Sequence, residues 1–464
     1  MSDWDALSRA AARQLASRVL ALSKAEGCQV NISASANGNT RYARNEVTTA
    51  GDTDNAAVTV TSRFGKRTAS VGTNLLDDAG LSRAVETSER LARLAPENPE
   101  LMPLLPAQVH PEVPAFSNAT ADLDAARRAE AVRAVTGAAS RAGLVAAGLV
   151  HRVAGANAVA NSAGLFGYHA STTAVHTVTV RSPDGTGSGW AGTAHNDWAR
   201  ATPAAQLATR AVRKAHATRG AAALEPGRYT VVLEPTAVGN LLGLLAFSLI
   251  ARAADEGRSF FSKRGGGGDR GGGGVGGNKI GEKIVDERVT LVSDPQDPDL
   301  LTAPFTGEGL PVARTVWIEN GVLKRLAYDR FWAEKQGVAP TPFGGGFRLQ
   351  GTGSAATLDE LIQTVDRGLL VTRFWYIRPV DQRTLLYTGI TRDGVFLIER
   401  GEVSRAVRNF RFNESPVAML NHLVAIGRPE RVSSSESGDV GGQAVVVPPL
   451  VVRDFNFTSV SEAV

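Results

Sequence analysis

The stretch EPTAVGNLLGLLAFSLIARAADEG, residues 234–257, decides how the second half of this 464-residue chain must fold. Pro235 sits where a first helical turn tolerates it, and Leu241, Leu242, Leu244, Leu245, Phe247, Leu249 and Ile250 fall nearly all round the helix instead of along one stripe. A helix with no polar face belongs in a core or at a subunit interface. The segments C-terminal to it read as strands: VTLVSDP, TVWIENGVLKRLAYD, GLLVTRFWYIRP, RTLLYTGITRDGVFLIERGEVSRAVRNFRFN and GQAVVVPPLVVRDFNFTSV. Turn signals stand among these runs at Glu319-Asn320-Gly321, Arg392-Asp393-Gly394 and Arg400-Gly401-Glu402. The half reads as an antiparallel, partly barrel-like β-domain with a buried apolar helix.

Upstream, AAALEPGRYTVVLEP marks a boundary where small residues and Pro-Gly precede a new apolar strand, Tyr229 to Leu233. The expected domains are 1–222 and 223–464. The first opens with a helix whose apolar positions are Trp4, Leu7, Ala11, Leu15, Val19 and Leu22, capped by Ser2 or Asp3 and stopped by Gly27. Strands come next, with turns at Asn37-Gly38 and Phe64-Gly65, then a helix over DDAGLSRAVETSERLARLA and a connection with six prolines between Pro96 and Pro114. Two more helices, ADLDAARRAEAVRAVTGAASRAG and TPAAQLATRAVRKAHATRG, flank two strand-like runs. The class is α+β: an N-terminal α/β domain with a mixed or antiparallel sheet and flanking helices, followed by the β-rich domain.

At 43% apolar and 21% charged residues the chain has the composition of a globular protein with a real core. A net charge of +4 over this length argues against nucleic acid as a partner. The first residues lack the pattern of a signal peptide and no apolar run approaches a membrane span, so a cytoplasmic protein is expected. Cys28 is the single cysteine; it reads as a half-buried structural residue, and a multi-cysteine zinc site is excluded.

Between Gly265 and Gly277 ten of thirteen residues are glycine, and Gly271, Gly273 and Gly276 match the dinucleotide pattern. Such a tract matches by composition alone. It comes after a helix where a dinucleotide site needs a strand, and Gly277-Asn278-Lys279 lacks the Ser or Thr of a P-loop. A solvated loop is the reading. None of the seven histidines has the i, i+4 spacing of a helical zinc motif. His195 near Asp197 is an ingredient of acid–base chemistry without an evident nucleophile. Asp255, Glu256 and Arg258 close the apolar helix, where carboxylates oppose the helix dipole unless they meet a partner; with Lys263 and Arg264 they are the candidate cavity or substrate contacts. Phe374-Trp375-Tyr376 reads either as a stacking platform or as core packing.

Over nearly its whole length the chain resembles the TldD/PmbA family, the paired subunits of a bacterial and archaeal metallopeptidase once described as modulators of DNA gyrase. The resemblance rests on RYARNEVTTAGDTDNAAVTVTSRFGKRTASVG and NAVANSAGLFGYHASTTAVHTVTV, and further on RSFFSK, IGEKIVDERVTLVSDP, APFTGEGLPVARTVWIENGVLKRLAYDRFWAEKQG, GVFLIERGEVSRAVRNF and GGQAVVVPPLVV, in this order. It implies a dimer enclosing a cavity for unfolded peptides. The catalytic subunit carries HExxxH on a helix and a later cysteine as zinc ligands, its Glu activating the metal-bound water. Counted back from RSFFS, the motif falls over Leu242 to Phe247, where Leu242, Gly243 and Phe247 offer neither ligand nor base, and no cysteine stands near SGDVGGQAVVV.

The resemblance thus implies the TldE/PmbA-type subunit, with no catalytic or metal-binding residue and no cofactor of its own. Zinc is expected in an HExxxH-bearing TldD-like partner, and an unfolded or modified peptide is the expected substrate. A homodimeric scaffold of the gyrase-modulator type is the alternative. An independent hydrolase built on His195 or on Asp255 and Glu256 is a third reading.

Overall fold

The computed structural model describes residues 7–263, 277–351, 355–433 and 444–461. Long alternating runs in the first half pair into one antiparallel sheet of β1 (Gly27–Ala43), β2 (Glu46–Phe64), β3 (Arg67–Thr73), β4 (Val145–Asn161), β5 (Phe166–Arg181) and β6 (Ser188–His195), ordered β3-β2-β1-β4-β5-β6. Because side chains alternate along a strand, even-numbered residues of the central strands share one face. Val30, Ile32, Ala156 and Ala158 meet α1 (Arg9–Leu22) and α2 (Asp78–Leu94). Ala146, Val150, Ala174 and Val178 meet α4 (Ala125–Arg141) and α5 (Ala204–Ala217), with the short α3 (Asn118–Ala121) leading into α4. All four long helices therefore cover one face of the sheet.

Two local expectations change. The first helix starts at Arg9, capped by Ser8, whose Oγ accepts from the Ala11 N–H at 3.2 Å; it ends at Leu22, and Gly27 opens β1. Residues 1–6, which include the expected caps and Trp4, lie outside the described residues. Nor do Asn37 and Gly38 form a turn. β1 runs through them, and the hairpin closes at Arg44 and Asn45, with φ 53° and 64°. Gly38 answers a close approach instead: the buried Arg128 guanidinium lies over it, bonded to Thr40 Oγ1 (3.2 Å), the Leu123 carbonyl (2.9 Å) and Asp52 (3.0 Å). A Cβ at this position would collide with Arg128 and Asp52.

The second half holds two sheets. One contains β7 (Gly227–Leu233), β12 (Arg367–Val371), β13 (Phe374–Asp381), β14 (Leu386–Thr391), β15 (Val395–Glu399), β16 (Glu402–Ala406), β17 (Phe410–Glu414) and β21 (Leu450–Val460), ordered β13-β14-β17-β21-β7-β12-β15-β16, with β18 (Leu423–Ile426) also on β21. The other contains β8 (Val289–Ser293), β9 (Thr315–Glu319), β10 (Val322–Leu323), β11 (Phe347–Gly351), β19 (Glu430–Ser433) and β20 (Ala444–Val447), ordered β10-β9-β8-β11-β20-β19. Helix α6 (Pro235–Phe247) packs against β7 and β13 of the first sheet and β19 and β20 of the second. The apolar helix lies between two sheets whose inner residues, among them Val231, Leu291, Trp317, Phe374 and Val445, form one core with it. The short helices α8 (Arg330–Gln336), α9 (Leu358–Gln363) and α10 (Pro416–Asn421) lie along the connections.

The strands are not all antiparallel: β7 with β12 and β11 with β20 run parallel. A parallel pair needs a long crossover, and the segment between β7 and β12 supplies it by building most of the second sheet on the way. Among the described residues neither sheet closes into a barrel. The turn signals divide likewise. Asn320-Gly321 and Arg400-Gly401 close the β9–β10 and β15–β16 hairpins at positive φ. Asp393-Gly394 instead carries the chain from β14 to β15, which are not paired.

The apolar helix is broken as well. Ser248 Oγ donates to the Leu244 carbonyl (2.7 Å), and Leu249 and Ala251 pair through their backbones with Ala327 at 2.7 and 2.9 Å. The chain sidesteps before α7 (Ala251–Asp255), and Phe247 is left 54% exposed instead of buried.

Candidate functional site

A polar groove of about 1620 Å³ opens beside the end of α7. One wall comes from Glu256, Gly257, Ser259, Phe260 and Lys263, the segment just before the glycine tract; the opposite wall comes from β17, α10 and the turn after β13. Acidic and basic side chains both line it, Glu256, Glu282, Asp381 and Glu414 with Arg228, Lys263, Lys279 and Arg383.

The candidate residues from the sequence separate here. Glu256 and Lys263 line the groove. Arg258 pairs with Glu256, which also accepts from Arg252 Nε (3.1 Å), and both partners hold the Glu256 carboxyl below its ordinary range, Arg258 more strongly. Arg252 in turn holds both carboxylate oxygens of Glu100, at 2.8 Å each, and so ties the proline-rich connection to α7. Lys263 faces Glu282 at 3.6 Å. Asp255 does not line the groove. It is buried, with Oδ1 accepting from Asn278 Nδ2 and Oδ2 from Trp332 Nε1, both at 2.7 Å. A carboxylate at a helix C-terminus is unfavourable on its own, and these two donors offset that. Arg264 and residues 265–276 lie outside the described residues.

Glu414 is the most buried of the charged groove residues that pattern reading missed, among them also Arg228, Lys279, Glu282, Asp381 and Arg383. Its carboxylate accepts from the backbone N–H of Ser415 (2.8 Å) and of Asn456 (3.1 Å). Burial raises its pKa, against the opposing pull of those two N–H donors and of His422 and Arg228. The available signal was the string Asn413-Glu414-Ser415-Pro416, an acid directly before a helix cap; Ser415 Oγ accepts from the Val417 N–H at 3.3 Å.

His195 and Asp197 are neighbours without forming a dyad. The Asp197 backbone N–H donates to His195 Nδ1 (2.9 Å), while the carboxylate accepts from Ser117 Oγ (2.9 Å) and the Ala199 N–H (3.1 Å). His169 and His176 are buried and their pKa values are pushed down to about 4 by desolvation, so they are neutral core residues. Burial raises the Cys28 thiol above its ordinary pKa, as fits an unreactive side chain. The aromatic triplet divides: Phe374 stacks on Phe455 in the core, Trp375 receives Arg373 and Arg392, and Tyr376 points outward at φ 53° beneath Arg378. It is not a platform.

At Leu242, Gly243 and Phe247 every side-chain atom is carbon or hydrogen. Leu242 and Gly243 are buried in the core, and Phe247 stacks on Phe343, with ring centroids 6.0 Å apart. These residues do not fit a zinc ion, which needs imidazole, thiolate or carboxylate donors. Among the described residues no group of three or more His, Cys, Asp or Glu is placed to hold a metal.

Fold and groove define a class: a chain of two sheet-based halves with an enclosed apolar helix, α6, and an open polar cleft beside the end of the short α7 that follows it. Residues 226–459 match the PmbA/TldA metallopeptidase C-terminal domain and residues 118–219 the central domain of the same family. The chain belongs to the PmbA/TldD metallopeptidase family. It is 28% identical over 194 residues to a metalloprotease of Archaeoglobus fulgidus, covering 38% of this chain and 43% of that protein. It is 27% identical over 184 residues to a metalloprotease of Methanothermobacter thermautotrophicus, covering 36% and 39%. The chain thus spans less than half the length of these curated relatives. Its fold matches the crystal structure of TldE from Thermococcus kodakarensis with a TM-score of 0.82 over 96% of this chain and 99% of that one, at 18% identity.

Proposed function

We propose that this chain is the non-catalytic, peptide-holding subunit of a two-subunit metallopeptidase of the TldD/TldE type, working on unfolded peptides or modified-peptide precursors. The observation that carries the reading is the hydrocarbon character of Leu242, Gly243 and Phe247 on α6, where the sequence resemblance would set two histidines and a glutamate. A zinc-bearing partner with HExxxH would then supply metal and base. The groove supplies an open cleft lined by side chains of both charges, Glu256, Glu282, Asp381 and Glu414 with Arg228, Lys263, Lys279 and Arg383, along which an extended peptide could lie. Mixed charge of this kind holds many sequences weakly instead of one sequence tightly.

Co-expression with an HExxxH-bearing family member from the same genome tests this. The expected result is a stable complex that contains one zinc, cleaves an unfolded polypeptide, and loses activity when the partner's HExxxH glutamate is replaced. Stoichiometric zinc and peptidase activity in this chain alone would overturn the proposal. A homodimer that ignores the partner would favour the scaffold reading instead.

A further inference from the structure

A second pocket, about 280 Å³, lies at the seam of the two halves, between β6 and α5 on one side and the start of α6 and β19 on the other. Three hydrogen-bond donors from three different elements line it without an acceptor among the described residues. Arg431 on β19 donates through Nε to the Asp299 carbonyl (2.6 Å), while its Nη1 is sealed from solvent and has no partner among the described residues. His195 at the end of β6 is 7% exposed. Its Nδ1 accepts the Asp197 N–H, so the neutral ring carries its proton on Nε2, and among the described residues Nε2 has no acceptor. Thr236 is the first residue of α6 with an N–H, since Pro235 has none, and that N–H too meets no acceptor among the described residues. Glu234 stands at the cap position without capping: its carboxylate is held by Lys214 Nζ at 2.7 Å.

We infer that this seam pocket is an oxyanion site, taking the carboxylate or phosphate group of a small ligand. A guanidinium fork, a helix N-terminus and an imidazole N–H are donors suited to such a group, and a buried N–H of a cation without a partner is costly until one arrives. The other charges facing the pocket leave this balance intact. Arg200 is engaged by Asp299 (3.0 Å) and the Pro298 carbonyl (3.0 Å), Lys214 and Glu234 neutralise one another, and Arg210 and Glu430 are exposed at the rim. His195 reports the same field: burial, then Arg431 and Arg200, push its pKa down to about 4, which keeps it a neutral donor. The volume admits a head group or a chain end, not a folded segment. This site is separate from the groove and needs no partner subunit, so its test stands apart from that of the proposed function.

The full chain, labelled with ¹⁵N in its histidine rings, is titrated at constant ionic strength and neutral pH with inorganic phosphate, with a short peptide bearing a free C-terminal carboxylate, and with the same peptide amidated. The expected result is a saturable shift of the His195 Nε2 resonance with phosphate or the free-acid peptide, and none with the amide or with chloride. Which of the two saturates at lower concentration identifies the source of the oxyanion. Arg431→Gln should weaken binding by about tenfold or more, the scale of one lost charge-assisted bond, whereas Arg83→Gln, exposed on α2 and outside the pocket, should change it little. If Arg431→Gln fails to fold, Arg431→Lys, which keeps a donor for the Asp299 carbonyl but loses the fork, takes its place. Shifts that never saturate, that chloride reproduces, or that survive loss of the Arg431 fork would overturn the inference.

Discussion

Replacing residues 264–276 by a two-residue Asn-Gly turn should leave the chain folded and make it more stable. The two ends of the tract are already paired: Ser262 and Asn278 form an antiparallel bridge, the Lys263 N–H donates to the Gly277 carbonyl (2.9 Å) and the Lys279 N–H to the Phe261 carbonyl (2.8 Å). Asn278 is further held by Asp255 and by the Tyr328 hydroxyl, and Phe261 is fully buried. The described ends therefore form a hairpin-like neck, and Asn-Gly suits a two-residue turn joining them. Closure entropy scales as (3/2)RT ln n, so shortening thirteen residues to two gains about 1.7 kcal/mol at most. Urea unfolding of the full-length and shortened chains, tracked by circular dichroism, measures this directly. A shortened chain that fails to fold, or that loses more than about 1 kcal/mol, would refute the reasoning and make the tract part of the structure. A chain that folds but no longer supports peptide cleavage in the proposed two-subunit complex would assign the glycines a role at the groove.

Two further outcomes test the neighbourhood of that groove. Asp255→Ala strands the buried Trp332 and Asn278 donors and should cost on the order of 3 kcal/mol or more, since hydrogen bonds to a charged acceptor are worth roughly 1.5–3 kcal/mol each; Trp332 emission should shift to the red, and unchanged emission with unchanged stability would contradict the role given to Asp255. For Glu414 the sign comes from its raised pKa. Below the unfolded glutamate's pKa of about 4.3 both states hold the proton and the contribution is complete; as pH rises through the higher native pKa it is lost. Glu414→Gln should remove this fall, so its advantage over the parent grows from acid to neutral pH, and parallel stability curves for the two proteins would show the carboxyl is not desolvated.

Much of the architecture was legible in patterns that depend on neighbours a few residues away. The helix over DDAGLSRAVETSERLARLA is found as α2, which the structure shows to be capped by Asp77 accepting from the Gly80 N–H at 2.6 Å, and the turns at Gly65, Asn320-Gly321 and Arg400-Gly401 hold. Errors arose where a distant residue intervened. Gly38 looked like a turn because nothing nearby announces that Arg128, ninety positions on, will lie against it. The run through Ala254 looked like one helix because the Ala327 backbone that breaks it comes from another part of the chain.

For the site the division is sharper. Sequence alone determined that α6 carries no metal-binding side chain at Leu242, Gly243 or Phe247, that the half around it is strand-rich, and that the family resemblance runs through the flanks of the glycine tract; each is a matter of residue identity and order. Only the tertiary structure decided that Asp255 turns inward while Glu256 lines the groove, that Glu414 joins the groove from more than 150 positions away, and that Arg431, His195 and Thr236 meet at one seam. Burial and hydrogen-bond partners belong to three-dimensional neighbours, and a carboxylate or guanidinium takes its chemical character from them.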